Sequence, residues 1–321
     1  MNYWKTLVLA AFAALALPAI GQDFPTKPVR VIISFTPGSS TDIVGRIVIQ
    51  RLSEMWGQPV IPENRAGAGG SIGSAVVAKA DPDGYTLLIN SNAHCVNPAI
   101  YAKLPYDTTK DFTDIAPLAV QPNVLTVRPD GPYRTVMDLV NAAKAKPGAI
   151  NIGHAGIGSG THLTTEKFIA ATHIQVVQIP FKGTPEVITA MFSGNVDAYW
   201  APISAAMGSI RGGKLRPLAV STPKRNNQLP DVPTPAEAGL KNAESEIWFG
   251  IFAPAKTPKA VVDKLAAALS KGLDEPAVQK KLTDLGAQIA EPDQRGPKPL
   301  AALVHSEIAR LTPILKAAAQ K

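Results

Sequence analysis

The chain has a single cysteine, Cys95, among 321 residues. One cysteine excludes an internal disulfide, and with it the small disulfide-stabilised scaffolds found among secreted proteins. Aromatic residues are few, at 6% of the chain, whereas 29 prolines and 25 glycines supply many turns. We therefore expect the stability of the fold to come from a large buried core.

The sequence also has no apolar run of about 20 residues, the length that crosses a bilayer. Its longest run, Leu7–Leu17, follows Lys5 and is followed by the small-residue cleavage pattern of Pro18, Ala19 and Gly21. This pattern is typical of a secretory signal peptide and is too short for a membrane anchor. We predict that residues 1–21 are a signal peptide cleaved before Gln22, and Cys95 lies too far away to be a lipid-anchoring cysteine there.

Acidic residues are fewer than basic ones, and the 32 Lys and Arg against 25 Asp and Glu give a net charge of +7. The basic residues are scattered, and no basic run is interleaved with aromatics. This distribution indicates a solvated, mildly basic surface and no nucleic-acid partner. A positive potential could still steer an anionic ligand towards the protein.

Strand-like runs alternate with helix-like periodicity in two similar units, which predicts an α/β fold with two similar domains facing each other. The first unit has strands at Val29–Phe35, Val60–Ile61 and Tyr85–Ile89, with helices at 43–55 and Ser71–Ala80. The second has strands at Ala149–Ile152, Val176–Ile179, Val196–Trp200 and Leu215–Val220, with helices at Thr161–Ala171 and Pro185–Phe192.

We predict that the chain crosses between the domains twice, near Val124–Val127 and near Ile247–Phe252. Helices at Val261–Leu273 and Ala277–Leu285, and one beginning at Leu300, would return to the first domain. The predicted division is residues 22–123 with 247–321 for one domain and 124–246 for the other.

The segment FTPGSSTD, residues 35–42, joins the first strand to the first helix. Ser40 or Thr41 can cap that helix, and Asp42 falls in its first turn, where the helix dipole favours negative charge. Free N–H groups and hydroxyls at such a turn can also hold an anion beyond the carboxyl ends of the strands. Plain helix capping is the alternative interpretation of this loop.

The segment GIGSGTH, residues 156–162, precedes a helix in the second unit, and its backbone N–H groups could again face a carboxylate or phosphate. Ser159 is flanked directly by glycines, so the G-x-S-x-G pattern of serine hydrolases is not met. A flexible turn is the alternative interpretation of this loop.

A third glycine-rich segment, RAGAGGSIG (65–73), matches neither the dinucleotide-binding fingerprint G-x-G-x-x-G nor the P-loop. We therefore assign its glycines to a tight turn and close helix packing.

The spacing of the His and Cys residues does not indicate a catalytic or metal site. His94 and Cys95 are sequence neighbours, whereas a nucleophile and its base come from separate parts of a fold. The histidines show no spacing typical of zinc ligands, and we predict neither a metal nor a cofactor. Lys182 could add positive charge at the cleft or be solvated. Tyr199, Trp200 and Trp248 could form an aromatic wall or belong to the core.

Taken together, these segments resemble the Bug family, the extracytoplasmic solute receptors of tripartite tricarboxylate transporters. The resemblance runs from about Phe24 to the C-terminus. It is carried by FPTKPVRVIISFTPGSSTD, ENRAGAGGSIG, AKADPDGYTLL, NPAIYAKLPYDTTKDF, GIGSGTHLTTEKF, IPFKGTPE, GKLRPLAV and LPDVPTPAEAG.

The resemblance implies a two-lobed, type II periplasmic-binding-protein (Venus-flytrap) fold, each lobe an open, mostly parallel sheet flanked by helices. It implies a periplasmic, monomeric, non-enzymatic protein that passes a small carboxylate, a di- or tricarboxylate or an aromatic acid, to membrane permease subunits. The family grips carboxylates mainly through backbone amides, hydroxyls and water, which places Thr36–Asp42 and Gly158–Thr161 at the ligand. The predicted ligand-binding residues are Thr36, Gly38, Ser39, Ser40, Thr41, Asn92, His154, Gly158, Ser159, Gly160, Thr161, Lys182 and Trp200.

The chain departs from the family pattern at several positions. Ser39 replaces a glycine, His154 stands where a small serine is common, and Ala66 replaces a proline. Ala201-Pro202 occupies a place where many relatives have an acidic residue, and with Trp200 and His154 nearby this favours an aromatic or more apolar acid. Two other functions stay open at this point: a periplasmic ligand sensor for a two-component system, and an exported hydrolase on the same fold.

Overall fold

The computed structural model describes residues 24–318, and the predicted signal peptide lies outside the described residues. The strands are β1 (Val29–Ile33), β2 (Val60–Asn64), β3 (Thr86–Ser91), β4 (Phe112–Val127), β5 (Asn151–His154), β6 (Val177–Pro180), β7 (Ala198–Pro202), β8 (Arg216–Val220) and β9 (Glu246–Pro254). The helices are α1 (Ser40–Trp56), α2 (Ser71–Ala78), α3 (Ala93–Ile100), α4 (Val136–Ala145), α5 (Gly160–Thr172), α6 (Thr184–Phe192), α7 (Ile203–Arg211), α8 (Lys259–Leu273), α9 (Pro276–Asp284) and α10 (Pro297–Ala318). None of the helices described combines the length and apolar character needed to cross a membrane.

The strands form one continuous sheet in the order β2-β1-β3-β9-β4-β7-β5-β6, with β8 also paired to β4. β1 is parallel to β2 and β3, and β5 is parallel to β6 and β7. The long strands β4 and β9 run antiparallel to each other and to their neighbours. We call the half with β1–β3 the first lobe and the half with β5–β8 the second lobe.

Each lobe has its own hydrophobic core, as two-lobed proteins require. In the first lobe, β1 and β3 bury Ile33 and Ile89 against Leu52 of α1 and Leu265 of α8. In the second lobe, β5 and β7 bury Ile152 and Trp200 against Phe168 of α5 and Leu139 of α4. Fully burying one such aliphatic side chain stabilises a fold by about 1.5–3 kcal/mol, so each lobe is stabilised by its own core.

The structure confirms the α/β, two-lobed prediction and extends the predicted elements. β4 is 16 residues long, whereas the sequence pattern indicated only its last part, Val124–Val127. Pro117 and Pro122 interrupt the apolar run that would have marked the rest of the strand. The predicted domain division, at 123/124 and 246/247, falls within β4 and at the start of β9, and we retain it as a proposal.

Candidate functional site

The two serine- and glycine-rich loops meet at one small cavity between the lobes. Each loop follows the carboxyl end of a strand, β1 or β5, and leads into a helix, α1 or α5. The cavity has a volume of about 20 Å³, which is room for roughly one water molecule. Its walls are Phe35, Ser39, Ser40, Thr41, Ser91, Ala155, Ser159, Gly160, Thr161, Thr184, Pro202 and Ile247.

The FTPGSSTD loop presents the N-terminus of α1 to this cavity. Ser39 is the N-cap, one position before the predicted cap residues, and its side chain makes no capping hydrogen bond. The N–H of Gly38 donates to Asp42 Oδ2 at 2.9 Å, and the N–H of Ser39 donates to the Thr36 carbonyl at 3.1 Å. The next N–H groups, of Ser40 and Thr41, have no partner within the helix because they belong to its first turn.

Asp42 holds that loop in place. In addition to the Gly38 N–H, its carboxylate accepts from Arg46 Nε at 2.7 Å and from Asn64 Nδ2 at 2.8 Å. Asp42 is 3% exposed, and its charge is compensated on several sides. These hydrogen bonds hold the loop in a defined shape, and Asp42 itself does not line the cavity.

The GIGSGTH loop places the N-terminus of α5 at the same cavity. Ser159 is the N-cap and accepts the His162 N–H at 3.2 Å through its side chain. The N–H of Ser159 donates to the Gly156 carbonyl at 3.0 Å. The N–H groups of Gly160 and Thr161 remain without a partner in the first turn of the helix.

Two helix N-termini thus face one cavity whose walls include no charged side chain. Each N-terminus carries about half a positive charge, and the unpaired N–H groups are directed hydrogen-bond donors. Such an arrangement favours an anion with oxygen acceptors, such as a carboxylate, and disfavours a cation. Hydroxyls of Ser40, Thr41 and Thr161 lie on the same walls and add further donors.

Glycines allow the lobes to approach closely around the cavity. Gly69, in the short 3-10 turn Ala68–Gly70, has φ +57°, and a Cβ there would overlap the carbonyl oxygen of Ile157 in the second lobe. A hydrogen bond of 2.8 Å from Tyr101 Oη to that same carbonyl also joins the lobes. The close-packing role predicted for RAGAGGSIG therefore acts between the lobes and not only between a helix and a strand.

A second contact between the lobes surrounds Ser39. Its Oγ accepts the N–H of Thr184 at 3.4 Å and lies 3.1 Å from Thr36 Oγ1. A Cβ on Gly183 would overlap Thr36 Oγ1 and come within 2.7 Å of Ser39 Oγ. Ser39, one of the residues that depart from the family pattern, thus bridges the two lobes.

Six of the thirteen predicted ligand-binding residues line the cavity, and seven do not. Those on its walls are Ser39, Ser40, Thr41, Ser159, Gly160 and Thr161. Thr36 contacts Ser39 through its hydroxyl but does not itself line the cavity. Gly38 and Gly158 direct their N–H groups into their own loops, Gly158 towards His162 Nδ1 at 3.4 Å.

Asn92 and His154 lie next to the cavity without lining it. Asn92 Nδ2 donates to the Glu246 carbonyl at 3.2 Å, and its Oδ1 abuts Gly160 closely enough to exclude a Cβ there. His154 is 1% exposed, and its ring centroid lies 4.7 Å from that of His162. Burial lowers the pKa of both His154 and His162 to about 4, so both rings are neutral at pH 7.

Trp200 and Lys182 require a correction. Trp200 is fully buried in the second-lobe core, with its ring centroid 5.6 Å from that of Phe168. Successive strand residues point to opposite faces, and on β7 the Trp200 side chain faces that core while Tyr199 faces another cluster. Lys182 is exposed after β6 and does not reach the cavity walls.

Several wall residues were not predicted: Ser91, Ala155, Thr184, Pro202 and Ile247. Thr184, Pro202 and Ser91 lie at or just beyond the carboxyl ends of β6, β7 and β3. The rule that ligands bind at the carboxyl ends of parallel strands could have found them. Ile247 comes from the antiparallel strand β9 and has no such signal.

His94 and Cys95 do not form a reactive pair. His94 is enclosed by the rings of Phe112 and Phe252 at 4.8 and 4.3 Å, and burial lowers its pKa to about 3. Burial raises the pKa of the Cys95 thiol well above its usual range. Among residues 24–318, no group of three or more His, Cys, Asp or Glu side chains could hold a metal ion.

The sequence profile of the tripartite tricarboxylate transporter family receptor matches residues 44–319. This chain belongs to that family. It is 33% identical to protein BugT of Bordetella pertussis over 291 residues, 89% of each chain.

Solved receptors share the fold closely. MatC from Rhodopseudomonas palustris, with bound malate, is 35% identical with a TM-score of 0.87, over 91% of this chain and all of that one. Rpa4515 of R. palustris, with adipate, is 34% identical with a TM-score of 0.87, over 92% and 99% of the two chains. The chain is therefore a receptor of the periplasmic binding-protein type and not an enzyme, so the hydrolase alternative is wrong.

Proposed function

We propose that this receptor captures a small carboxylate in the cavity between its lobes and delivers it to the permease subunits of a tripartite tricarboxylate-type transporter in the membrane. The observation that carries the proposal is the pair of helix N-termini, Ser39–Thr41 and Ser159–Thr161, on opposite walls of one uncharged cavity. Neither lobe alone encloses an anion, whereas both together supply donors from two sides.

Ligand entry requires the lobes to part. A cavity of about 20 Å³ has room for roughly one water molecule, and any four-carbon acid is larger than that. A ligand that contacts both loops favours a nearly closed arrangement, because only there do both sets of donors reach it. The exclusion of water then strengthens each charge-assisted hydrogen bond.

Two observations narrow the ligand to a small carboxylic acid. The related proteins MatC and Rpa4515 were solved with malate and adipate, which are both small aliphatic dicarboxylates. The aromatic-acid interpretation rested on the missing acidic residue at Ala201-Pro202 with Trp200 and His154 nearby; Pro202 lines the cavity, whereas the Trp200 and His154 rings do not. Aliphatic mono- or dicarboxylates are therefore the first ligands to examine.

A thermal-shift panel tests this function. We expect at least one small carboxylate, present at 100 times its Kd, to raise the melting temperature by about 4 °C, because a ligand bound only by the folded state adds about 2.7 kcal/mol. Thr41→Val should reduce that shift, whereas Thr109→Val on the exposed surface should leave it unchanged. A panel in which no acid raises the melting temperature would contradict the proposal.

A further inference from the structure

One carboxylate lies within hydrogen-bond reach of the cavity wall without lining the cavity. Glu186, in the first turn of α6 in the second lobe, accepts a hydrogen bond from Thr36 Oγ1 of the first lobe at 3.4 Å. Thr36 Oγ1 lies 3.1 Å from Ser39 Oγ, and Ser39 is a wall residue. A chain of hydroxyls therefore connects Glu186 to the cavity.

The number of available hydroxyl protons determines which atom donates in each of these hydrogen bonds. A carboxylate only accepts, so the single hydroxyl proton of Thr36 is directed to Glu186. Thr36 Oγ1 is then the acceptor for the single hydroxyl proton of Ser39. Ser39 Oγ meanwhile accepts the N–H of Thr184 at 3.4 Å, so it has no proton left for a ligand and presents only a lone pair to the cavity.

The opposite wall differs because no carboxylate takes part in its hydroxyl pair. Ser159 Oγ and Thr161 Oγ1 lie 3.1 Å apart, and they accept the N–H groups of His162 and Ala155, respectively. These two hydroxyls need only one proton for the bond between them. The other proton can be donated to a ligand. The cavity thus has a donating wall at Ser159 and an accepting position at Ser39.

We propose that Glu186 makes this receptor select carboxylic acids that carry a second hydrogen-bond donor, such as a hydroxy or amino group, over acids that lack one. The inference rests on the proposed function and specifies the ligand for the same cavity. An acid without the donor leaves the buried lone pair of Ser39 unpaired, or places a carboxylate oxygen against it. A hydroxy or amino acid satisfies that lone pair.

Isothermal titration of matched acids tests the selection. The probes are succinate, malate and aspartate; adipate, 2-hydroxyadipate and 2-aminoadipate; and phenylacetate, mandelate and phenylglycine. Each set contains a plain acid, its hydroxy derivative and its amino derivative. Within the set that binds, we expect the wild-type protein to have about tenfold higher affinity for the hydroxy or amino acid than for the plain acid, the ratio that corresponds to one buried hydrogen bond.

Variants of Glu186 and Thr36 distinguish an effect on the hydrogen-bond direction at Ser39 from a structural effect on the contact between the lobes. Glu186→Gln can donate its amide N–H to Thr36, and Thr36→Val removes the link to Ser39, so in both variants Ser39 is free to donate. We expect the preference to fall to about twofold or less in each, because the lost interaction is one hydrogen bond. Thr36→Ser keeps the hydroxyl and should restore the wild-type ratio. A weakened contact between the lobes would instead lower the affinity for every member of a set equally.

The outcomes are distinct. Binding of acids with no preference in the wild-type protein, or a preference that Glu186→Gln leaves unchanged, would overturn this inference and leave the proposed function intact. Failure of the wild-type protein to bind any member of the three sets would overturn both.

Discussion

Replacing Gly69 with alanine should lower the affinity for the carboxylate about 100-fold or more. The new Cβ would overlap the Ile157 carbonyl oxygen and come within 3.0 Å of the Gly158 carbonyl carbon, both in the second lobe. The lobes could then not close far enough for Gly160 and Thr161 to reach a ligand held at Ser40 and Thr41. Losing two charge-assisted hydrogen bonds, at about 1.5–3 kcal/mol each, corresponds to at least that factor.

Gly57→Ala is the matched control. Gly57 has φ +60°, close to the +57° of Gly69, but a Cβ there would meet nothing within 4 Å. Both variants therefore carry the same left-handed backbone strain, about 1 kcal/mol, and only Gly69→Ala obstructs closure. Calorimetric titration should show near-wild-type affinity for Gly57→Ala. Equal affinity in the two variants would mean that this contact between the lobes does not contribute to binding.

Replacing Ser40 with aspartate should reduce binding about 1,000-fold. Ser40 is the first residue of α1 and lines the cavity, so the change adds a negative charge beside the bound carboxylate. Two like charges about 4 Å apart repel by about 4 kcal/mol at the effective dielectric of a partly solvated site. Ser40 is 5% exposed, so burying the new carboxylate has a desolvation cost, which the favourable position of a negative charge at a helix N-terminus partly offsets.

Ser40→Asn has nearly the same shape as Ser40→Asp and no charge, so it reports the steric part of the effect. We expect its loss of affinity to be smaller by at least about tenfold, since the charge supplies most of the repulsion. The melting temperatures of both variants should stay within a few degrees of the wild-type value. An aspartate variant that binds the acid as well as the asparagine variant would indicate that the carboxylate lies elsewhere.

The strand–turn–helix pattern was enough to predict both loops of the site. FTPGSSTD and GIGSGTH each follow an apolar strand and precede a periodic helix, and local sequence alone determines where the N–H groups of Ser40 and Gly160 point. The two repeated units also predicted the α/β class. These features depend on residues close together in the chain, which is why they can be inferred from it.

Features that depend on distant segments could not be predicted. The burial of Trp200 depends on which face of β7 meets the second-lobe core, and strand alternation alone leaves that choice open. The fit of Gly69 against Ile157, and of Gly183 against Thr36, requires the relative position of the two lobes. Glu186 reaches the cavity through a contact between residues 150 positions apart, and its spacing carries no signal of that contact.

A crystal structure of the protein with the acid that stabilises it most would show where the carboxylate binds. We expect carboxylate oxygens about 3 Å from the N–H groups of Ser40 or Thr41 in one lobe and of Gly160 or Thr161 in the other. A larger groove of about 490 Å³, with Lys167, Trp248 and Arg310 on its walls, is the main competing location. An acid bound in that groove, or held by one lobe alone, would contradict the account.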